Sequence, residues 1–421
     1  MEQTFALKGH VIHTPTCGQL SLHPASYLVC EGGKVAGVFP QLPDRWRGIP
    51  VHDHGDKLIL PGLIDLHVHA SQYAYRGLGM DLELLDWLEA NAFPEEAKFA
   101  DLAYAGEAYR CFVQALTHSA TTRACIFATI HRPATRKLMA LLEEAGLPCL
   151  VGKVNMDRNS PDILRETTET SLAETRRWLE ESASFSLVRP ILTPRFTPSC
   201  TDELMAGLGR LQREFGVPVQ SHLSENLSEI QWVAQLCPGT SCYGQAYARF
   251  GLFGGTCPTV MAHCVWSGAE ERALLKQQGV FIAHCPQSNM NLSSGIAPIK
   301  RYLQEGQQVG LGTDVAGGAH LSLFRAMTEA IQCSKLRWRL VDQDTPALTL
   351  PEALYLATKG GGKFFGQVGS FEPGYAFDAI VLDDSTLPTT WPCTLEQRLE
   401  RAVYLSDGEP VAKYVAGRRL F

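Results

Sequence analysis

Two patterns of apolar and polar positions divide the chain. Over the first sixty residues, short apolar runs such as Tyr27 to Val29 and Val35 to Phe39 are broken by Gly, Pro and Asp. That punctuation predicts small antiparallel strands. From Leu58 onward short apolar runs alternate with longer stretches. The strand candidates are Leu58 to Leu66, Thr122 to Phe127, Cys149 to Val154, Leu187 to Leu192, Val217 to Gln220, Val260 to Met261, Val280 to Ile282 and Val309 to Leu311. Between them Asp101 to Leu116, Thr170 to Leu179, Asp202 to Phe215 and Glu270 to Gln278 repeat their apolar positions at helical spacing. Each is long enough to cross over between parallel strands. Eight such units predict an α/β chain with a (β/α)8 TIM barrel over residues 61–369. After Gly369 strand-like pieces return, Ala379 to Leu382 and Ala412 to Val415. Residues 1–60 and 370–421 are therefore expected to pair as a small β-sandwich domain built from both termini.

Composition narrows the function classes. The chain has 421 residues, 45% hydrophobic and 19% charged, ample for a core and unlike a disordered chain. Its 37 basic and 44 acidic residues leave a formal charge of −7, and no run of Lys and Arg offers a track for a phosphate backbone. No nucleic-acid partner is expected. Thirteen cysteines, from Cys17 to Cys393, form no C-x-x-C pair, which reads as reduced thiols in a cytoplasmic protein. Met1 to Leu20 lacks a basic flank leading into an apolar run, and no stretch reaches the roughly 18 apolar residues of a membrane span. Neither a leader nor a membrane partner is expected.

Candidate chemistry gathers at strand ends. Leu58-Ile-Leu-Pro-Gly-Leu-Ile-Asp-Leu-His67-Val-His69 is an apolar strand ending in two histidines one residue apart. Strand alternation sets both on one side, and the carboxyl end of a barrel strand faces the active-site mouth. H-x-H alone is weak: His52-Asp53-His54 has the same spacing among turn residues and reads as structural or solvent-facing. The other strand ends change the weight of the pair. His222 ends the fifth candidate, His263 the sixth and Asp314 the eighth, so all aim at the same mouth. Three imidazoles and a carboxylate suit zinc with one position open for water, whose pKa the ion lowers toward neutrality. Glu225 follows His222 by three residues and is the best-placed carboxylate outside the ligand set for moving protons. His131 and His284 also lie near strand ends and read as structural or as supports behind the ligands.

Pro61-Gly-Leu-Ile-Asp-Leu-His-Val-His69, Ser221-His-Leu-Ser-Glu225, Ala262-His263, Ala283-His-Cys-Pro-Gln-Ser-Asn289 and Gly312-Thr-Asp314 resemble the amidohydrolase deaminases. His69-Ala-Ser-Gln72, Leu84-Leu-Asp-Trp-Leu88 with Phe93-Pro94, Phe127-Ala-Thr-Ile-His131, Gly152-Lys-Val-Asn-Met-Asp157, Thr193-Pro-Arg-Phe196 and Gly310 to Gly318 resemble, more narrowly, the guanine deaminase family. The resemblance implies one zinc ion per chain on His67, His69, His222 and Asp314. It implies catalysis by Glu225, His263 and Asp314, with Glu225 carrying the proton and His263 holding the reacting water. Guanine is the implied substrate, gripped by Gln72 and Arg195 at the purine edge and by Phe196 on the ring face, with His69, Ala70, Ser71, His222, Glu225 and Asp314 completing its surroundings. A homodimer is implied as well. Two positions depart from the family pattern: Ser119-Ala-Thr-Thr122 stands where a glycine turn is expected, and Cys264 where many relatives carry Gly. The competing readings are an aminohydrolase of another amino-substituted ring (a modified guanine, a pterin, a pyrimidine or a triazine) and a non-catalytic scaffold on the same barrel.

Overall fold

The apolar run that begins at Leu58 serves two sheets, where the sequence suggests one strand from Leu58 to Leu66. In the computed structural model, which describes residues 4–421, the strand Val51–Pro61 ends inside a sheet of terminal segments, and a second strand, Leu63–His69, opens the barrel. Gly62 makes the change of sheet. A Cβ there would lie 2.2 Å from Thr122 Cγ2, so no side chain fits, and its N–H donates to the Asp378 carbonyl at 3.0 Å. Hydropathy cannot show this break, because both strands are buried and equally apolar.

The terminal segments form one seven-stranded sheet in the order Arg418–Arg419, Ala412–Val415, Ala379–Leu382, Val51–Pro61, Phe5–Thr16, Gln19–Glu31 and Lys34–Phe39. Both termini thus meet, as expected, in a continuous hydrogen-bonded sheet. The pairings are antiparallel except one: Phe5–Thr16 runs parallel to Val51–Pro61, with Ala6 opposite Val51 and Val11 opposite Ile59. The excursion through Asp44–Trp46 carries the chain back along the free side of the first strand. A parallel return needs such a connection, whereas a hairpin does not. Phe5, Leu7, Val11, Ile59, Phe377 and Tyr414, from both ends of the chain, are buried together.

Eight parallel strands follow in sequence order. Leu63–His69, Thr121–Phe127, Leu150–Gly152 and Arg189–Pro190 form one run; Val219–Leu223, Thr259–His263, Phe281–His284 and Gln308–Leu311 form the other. A bridge between Leu192 and Val219 joins the runs. The barrel closes where Asp314 N–H donates to the His67 carbonyl at 2.8 Å and His69 N–H to the Val315 carbonyl at 3.0 Å. The helices Leu102–His118, Thr168–Ser182, Asp202–Phe215 and Ala269–Gln278 fall where the apolar period predicts them. Ser119 replaces the expected glycine turn by hydrogen bonding: its hydroxyl donates to the Leu116 carbonyl at 2.9 Å and accepts from Thr121 N–H at 3.2 Å.

Two buried contacts tie the terminal sheet to the barrel. Arg123 Nε donates to Asp378 at 2.7 Å. Lys413, wholly buried, donates through Nζ to the carbonyls of Leu116, Thr117 and Ser119 at 3.0, 3.0 and 3.1 Å. The Leu116 and Thr117 carbonyls lie in the last turn of the helix Leu102–His118 and that of Ser119 at its cap, where carbonyls lack helical partners. Lys413→Met keeps the stem and strands the carbonyls, so it is expected to cost about 1–3 kcal/mol of stability, read as a lower denaturation midpoint, with metal content unchanged.

Candidate active site

The carboxyl ends of four barrel strands deliver the predicted chemistry to one place. His67 and His69 come from the first strand, whose pairing with the second slips between Asp65 and Val68. Such a bulge re-aims a side chain. His222 lies in Val219–Leu223, His263 ends Thr259–His263, and Asp314 follows Gln308–Leu311. Gly312 lets that last segment approach: a Cβ would sit 2.9 Å from both His67 Cβ and Cys285 Sγ. Ser224, His263, Cys264 and Asp314 all adopt left-handed backbone, with φ of 47°, 73°, 50° and 47°. At Cys264 a glycine would adopt that conformation freely. Non-glycine residues held this way cost about 1–3 kcal/mol each and gather at functional sites.

The ligand atoms nearly touch. His67 Nε2 and His69 Nε2 are 3.2 Å apart, and His69 Nε2 and His222 Nε2 3.3 Å. Asp314 Oδ1 lies 3.1 Å from His67 Nε2 and 3.4 Å from His69 Nε2. Atoms about 2.0–2.1 Å from a tetrahedral ion stand roughly 3.3–3.4 Å from one another, so the set fits a small divalent cation. Hydrogen-bond partners support the same conclusion. His222 Nδ1 donates to the Arg195 carbonyl at 2.6 Å, which leaves the lone pair of Nε2 aimed at the other imidazoles. Burial, with His67 next in weight, holds the His69 and His222 imidazoles well below the usual histidine range, so they are neutral donors of lone pairs. Burial works against ionisation of Asp314, yet His67, His263 and His69 keep its carboxyl well below the usual carboxylate range. Neutral imidazoles and an ionised carboxylate are what a metal requires.

Glu225 stands beside this set. His263 Nε2 is 3.3 Å from Glu225 Oε2 and 3.7 Å from Asp314 Oδ2, while His263 Nδ1 donates to Asn289 Oδ1 at 2.9 Å. Ser294 Oγ donates to Glu225 Oε1 at 3.0 Å. Burial first, and the Asp314 carboxylate second, push the Glu225 carboxyl up to about 8. It can therefore both take and give a proton near neutral pH. Behind it Glu229, pushed up to about 7 by burial and by Glu225, accepts from the backbone N–H of Glu225 at 3.1 Å and from Tyr243 OH at 2.8 Å.

A cavity opens onto these groups, lined also by Gln72, Leu84, Trp87, Leu88, Arg195 and Phe196. Gln72 and Arg195 are buried and joined through a residue the sequence reading did not single out, Glu96. Ala70 and Ser71 are buried at the base of the same loop and do not line the cavity. Leu84, Trp87 and Leu88 belong to a helical stretch, Leu84–Trp87 continued by a π-helical turn Leu88–Ala92, that covers one side. Glu229 was legible as the Glu of an Asn-x-x-Glu capping box, realised at Asn226. Glu96 carried no such signal, since Phe93-Pro-Glu-Glu reads as an ordinary acidic first turn. The residues read as structural stay apart from the ligand set. His52 and His54 pack on Phe5 and Tyr414 in the terminal sheet, and His131 precedes the helix Arg132–Ala145. His284 is fully buried near His263, and burial pushes its imidazole down to about 3.

Residues 58–420 match the family model described as the amidohydrolase family. Guanine deaminase of Dictyostelium discoideum is 38% identical over 98% of this chain and 97% of its own, and guanine deaminase of Escherichia coli (strain K12) is 35% identical over 90% and 86%. A solved guanine deaminase from C. acetobutylicum, with guanine bound in its active site, superposes with a TM-score of 0.96 at 46% identity, each chain covered 100%. With a closed barrel, convergent histidines and relatives matched end to end, the chain belongs to the amidohydrolase family and, within it, to the guanine deaminase branch.

Proposed function

We propose that this enzyme hydrolyses guanine to xanthine and ammonia, using one zinc ion per chain held by His67, His69, His222 and Asp314. One observation carries the reading: a single cavity is lined by the imidazoles of His69, His222 and His263 with Asp314 and Glu225, and also by Gln72, Arg195 and Phe196. The guanine bound in the C. acetobutylicum relative supports the choice of ring. Zinc, when bound, makes water at this site a stronger acid and stabilises negative charge developing on oxygen.

The chain's own groups account for the protons. Glu225 Oε2 takes a proton from the attacking water and passes it to the ring nitrogen beside the carbon under attack, which becomes tetrahedral. A second transfer carries the proton of the added hydroxyl to the amino group, the carbon–nitrogen bond breaks to release ammonia, and the hydroxyl oxygen becomes a new carbonyl, leaving xanthine. His263, its Nδ1 fixed on Asn289, presents Nε2 to the water's oxygen region and holds it against the ring. Arg195 and Gln72 hydrogen-bond the purine edge, and Phe196 packs against its face. Among the described residues no helix is long and apolar enough to cross a membrane. A cytoplasmic homodimer completes the proposal, supported by thirteen free cysteines and by the family likeness.

Three outcomes test it. Metal-depleted protein should lose ammonia release from guanine and regain it with zinc; activity that survives depletion to trace metal would refute the metal assignment. Glu225→Gln should retain zinc yet lose about 10²–10⁴-fold in kcat, measured by guanine disappearance in the ultraviolet. Arg195→Ala should keep zinc and lower kcat/KM for guanine by at least about tenfold, the loss of a buried charged hydrogen bond; an unchanged profile would place the purine elsewhere.

A further inference from the structure

Both residues assigned to the purine edge, Gln72 and Arg195, meet one carboxylate. Glu96, 3% exposed, comes from the helical turn Phe93–Ala97 and does not itself line the cavity. Its Oε1 accepts from Gln72 Nε2 at 2.8 Å and from Arg195 Nη2 at 3.0 Å, and its Oε2 accepts from Arg195 Nη1 at 2.5 Å. The Arg195 guanidinium also lies over the Phe93 ring, 5.1 Å from its centroid. The side chains of this network make no hydrogen bond to Glu225 or to the imidazoles; Arg195 reaches the cluster only through its carbonyl, which accepts from His222 Nδ1 at 2.6 Å.

Its chemistry has two consequences. First, a planar fork bound bidentately to a buried carboxylate carries no net charge into the cavity, whereas an unpaired buried guanidinium would draw in an anion. Second, the Gln72 amide has one orientation. Its Nε2 faces the Glu96 carboxylate and its Oε1 accepts from Ala316 N–H at 3.1 Å; turned over, oxygen would face carboxylate and N–H would face N–H. The remaining lone pair of Gln72 Oε1 and the remaining N–H bonds of Arg195 then form an acceptor beside donors, the complement of a ring N–H next to a carbonyl. Resting on the deaminase reading above, we infer that Glu96 is a positioning residue for specificity: it makes this end of the cavity read an uncharged lactam edge and turn away anionic rings.

Glu96→Gln tests this with two probes on the zinc-loaded protein: guanine turnover, and direct binding of urate, an oxopurine anion at neutral pH. The expected result has opposite signs. Guanine kcat/KM falls about tenfold or more, chiefly through KM, while urate affinity rises about tenfold, because attraction for one ring is lost and repulsion of the other removed. Losses in both, or in neither, would reduce Glu96 to a packing role and overturn the inference. Should the Gln variant not accumulate as folded protein, Glu96→Asp keeps the charge but withdraws the carboxylate; a raised guanine KM with urate still weakly bound supports the assignment, and a wild-type KM overturns it. Urate binding reports on Glu96 even if the wild-type protein fails to deaminate guanine, a failure that would instead sink the functional reading.

Discussion

The site depends on the closing of the barrel between its last strand and its first. Asp314 N–H donates to the His67 carbonyl and His69 N–H to the Val315 carbonyl, so the seam that shuts the ring runs through the ligand set itself. Asp65 strengthens the seam from within, accepting from Thr313 N–H at 3.1 Å and from His67 N–H at 3.1 Å. Two imidazoles stand on one side of that seam and the carboxylate on the other. Side chains more than 240 residues apart in sequence share one ion only if every strand between them keeps its place. Preorganisation of this kind is what lets fixed charges act without reorganising during reaction.

Such convergence is unfavourable without a cation. His69 Nε2 stands 3.2 Å from His67 Nε2 and 3.3 Å from His222 Nε2, crowding three buried ring nitrogens, and left-handed backbone at Ser224, His263, Cys264 and Asp314 adds strain. The offset comes from elsewhere in the chain. Strands around the barrel bury Ile64, Leu66, Cys125, Ile191, Val260, Ala262 and Ala283 in one apolar cluster, and the terminal sheet has its own core, joined to the barrel by Arg123 and Lys413. Stability is thus concentrated in packed apolar layers, and the polar mouth is held by them.

What the sequence made legible follows from the period of its strands. A histidine or aspartate that ends an apolar run is a candidate for the barrel mouth, so His222, His263 and Asp314 could be grouped from the sequence and Glu225 followed from its nearness to His222, although His284, which ends such a run too, stays apart. Helices with strong apolar stripes, such as Asp202–Phe215, were legible to the residue. The split at Gly62 was not, since two buried strands in succession look like one. Nor was the parallel pairing of Phe5–Thr16 with Val51–Pro61, because pairing partners are set by tertiary contacts and not by period.

Glu96 was hidden for a different reason. Its role exists only in three dimensions: a carboxylate in a short acidic turn acquires meaning when Gln72, from the loop after the first strand, and Arg195, from the loop after the fourth, fold against it. The imidazoles and Asp314 stand at strand tips, whose positions the barrel dictates. Gln72 and Arg195, proposed to hold the purine, stand in loops, whose positions depend on mutual contacts. Loops that lack a ladder of backbone bonds need a buried ionic hub to hold a fixed hydrogen-bonding pattern, and a hub that is fully paired adds no charge of its own. The division in the fold is physical: His67, His69 and Asp314 are placed by closure of the sheet, and Gln72 and Arg195 by one shared carboxylate.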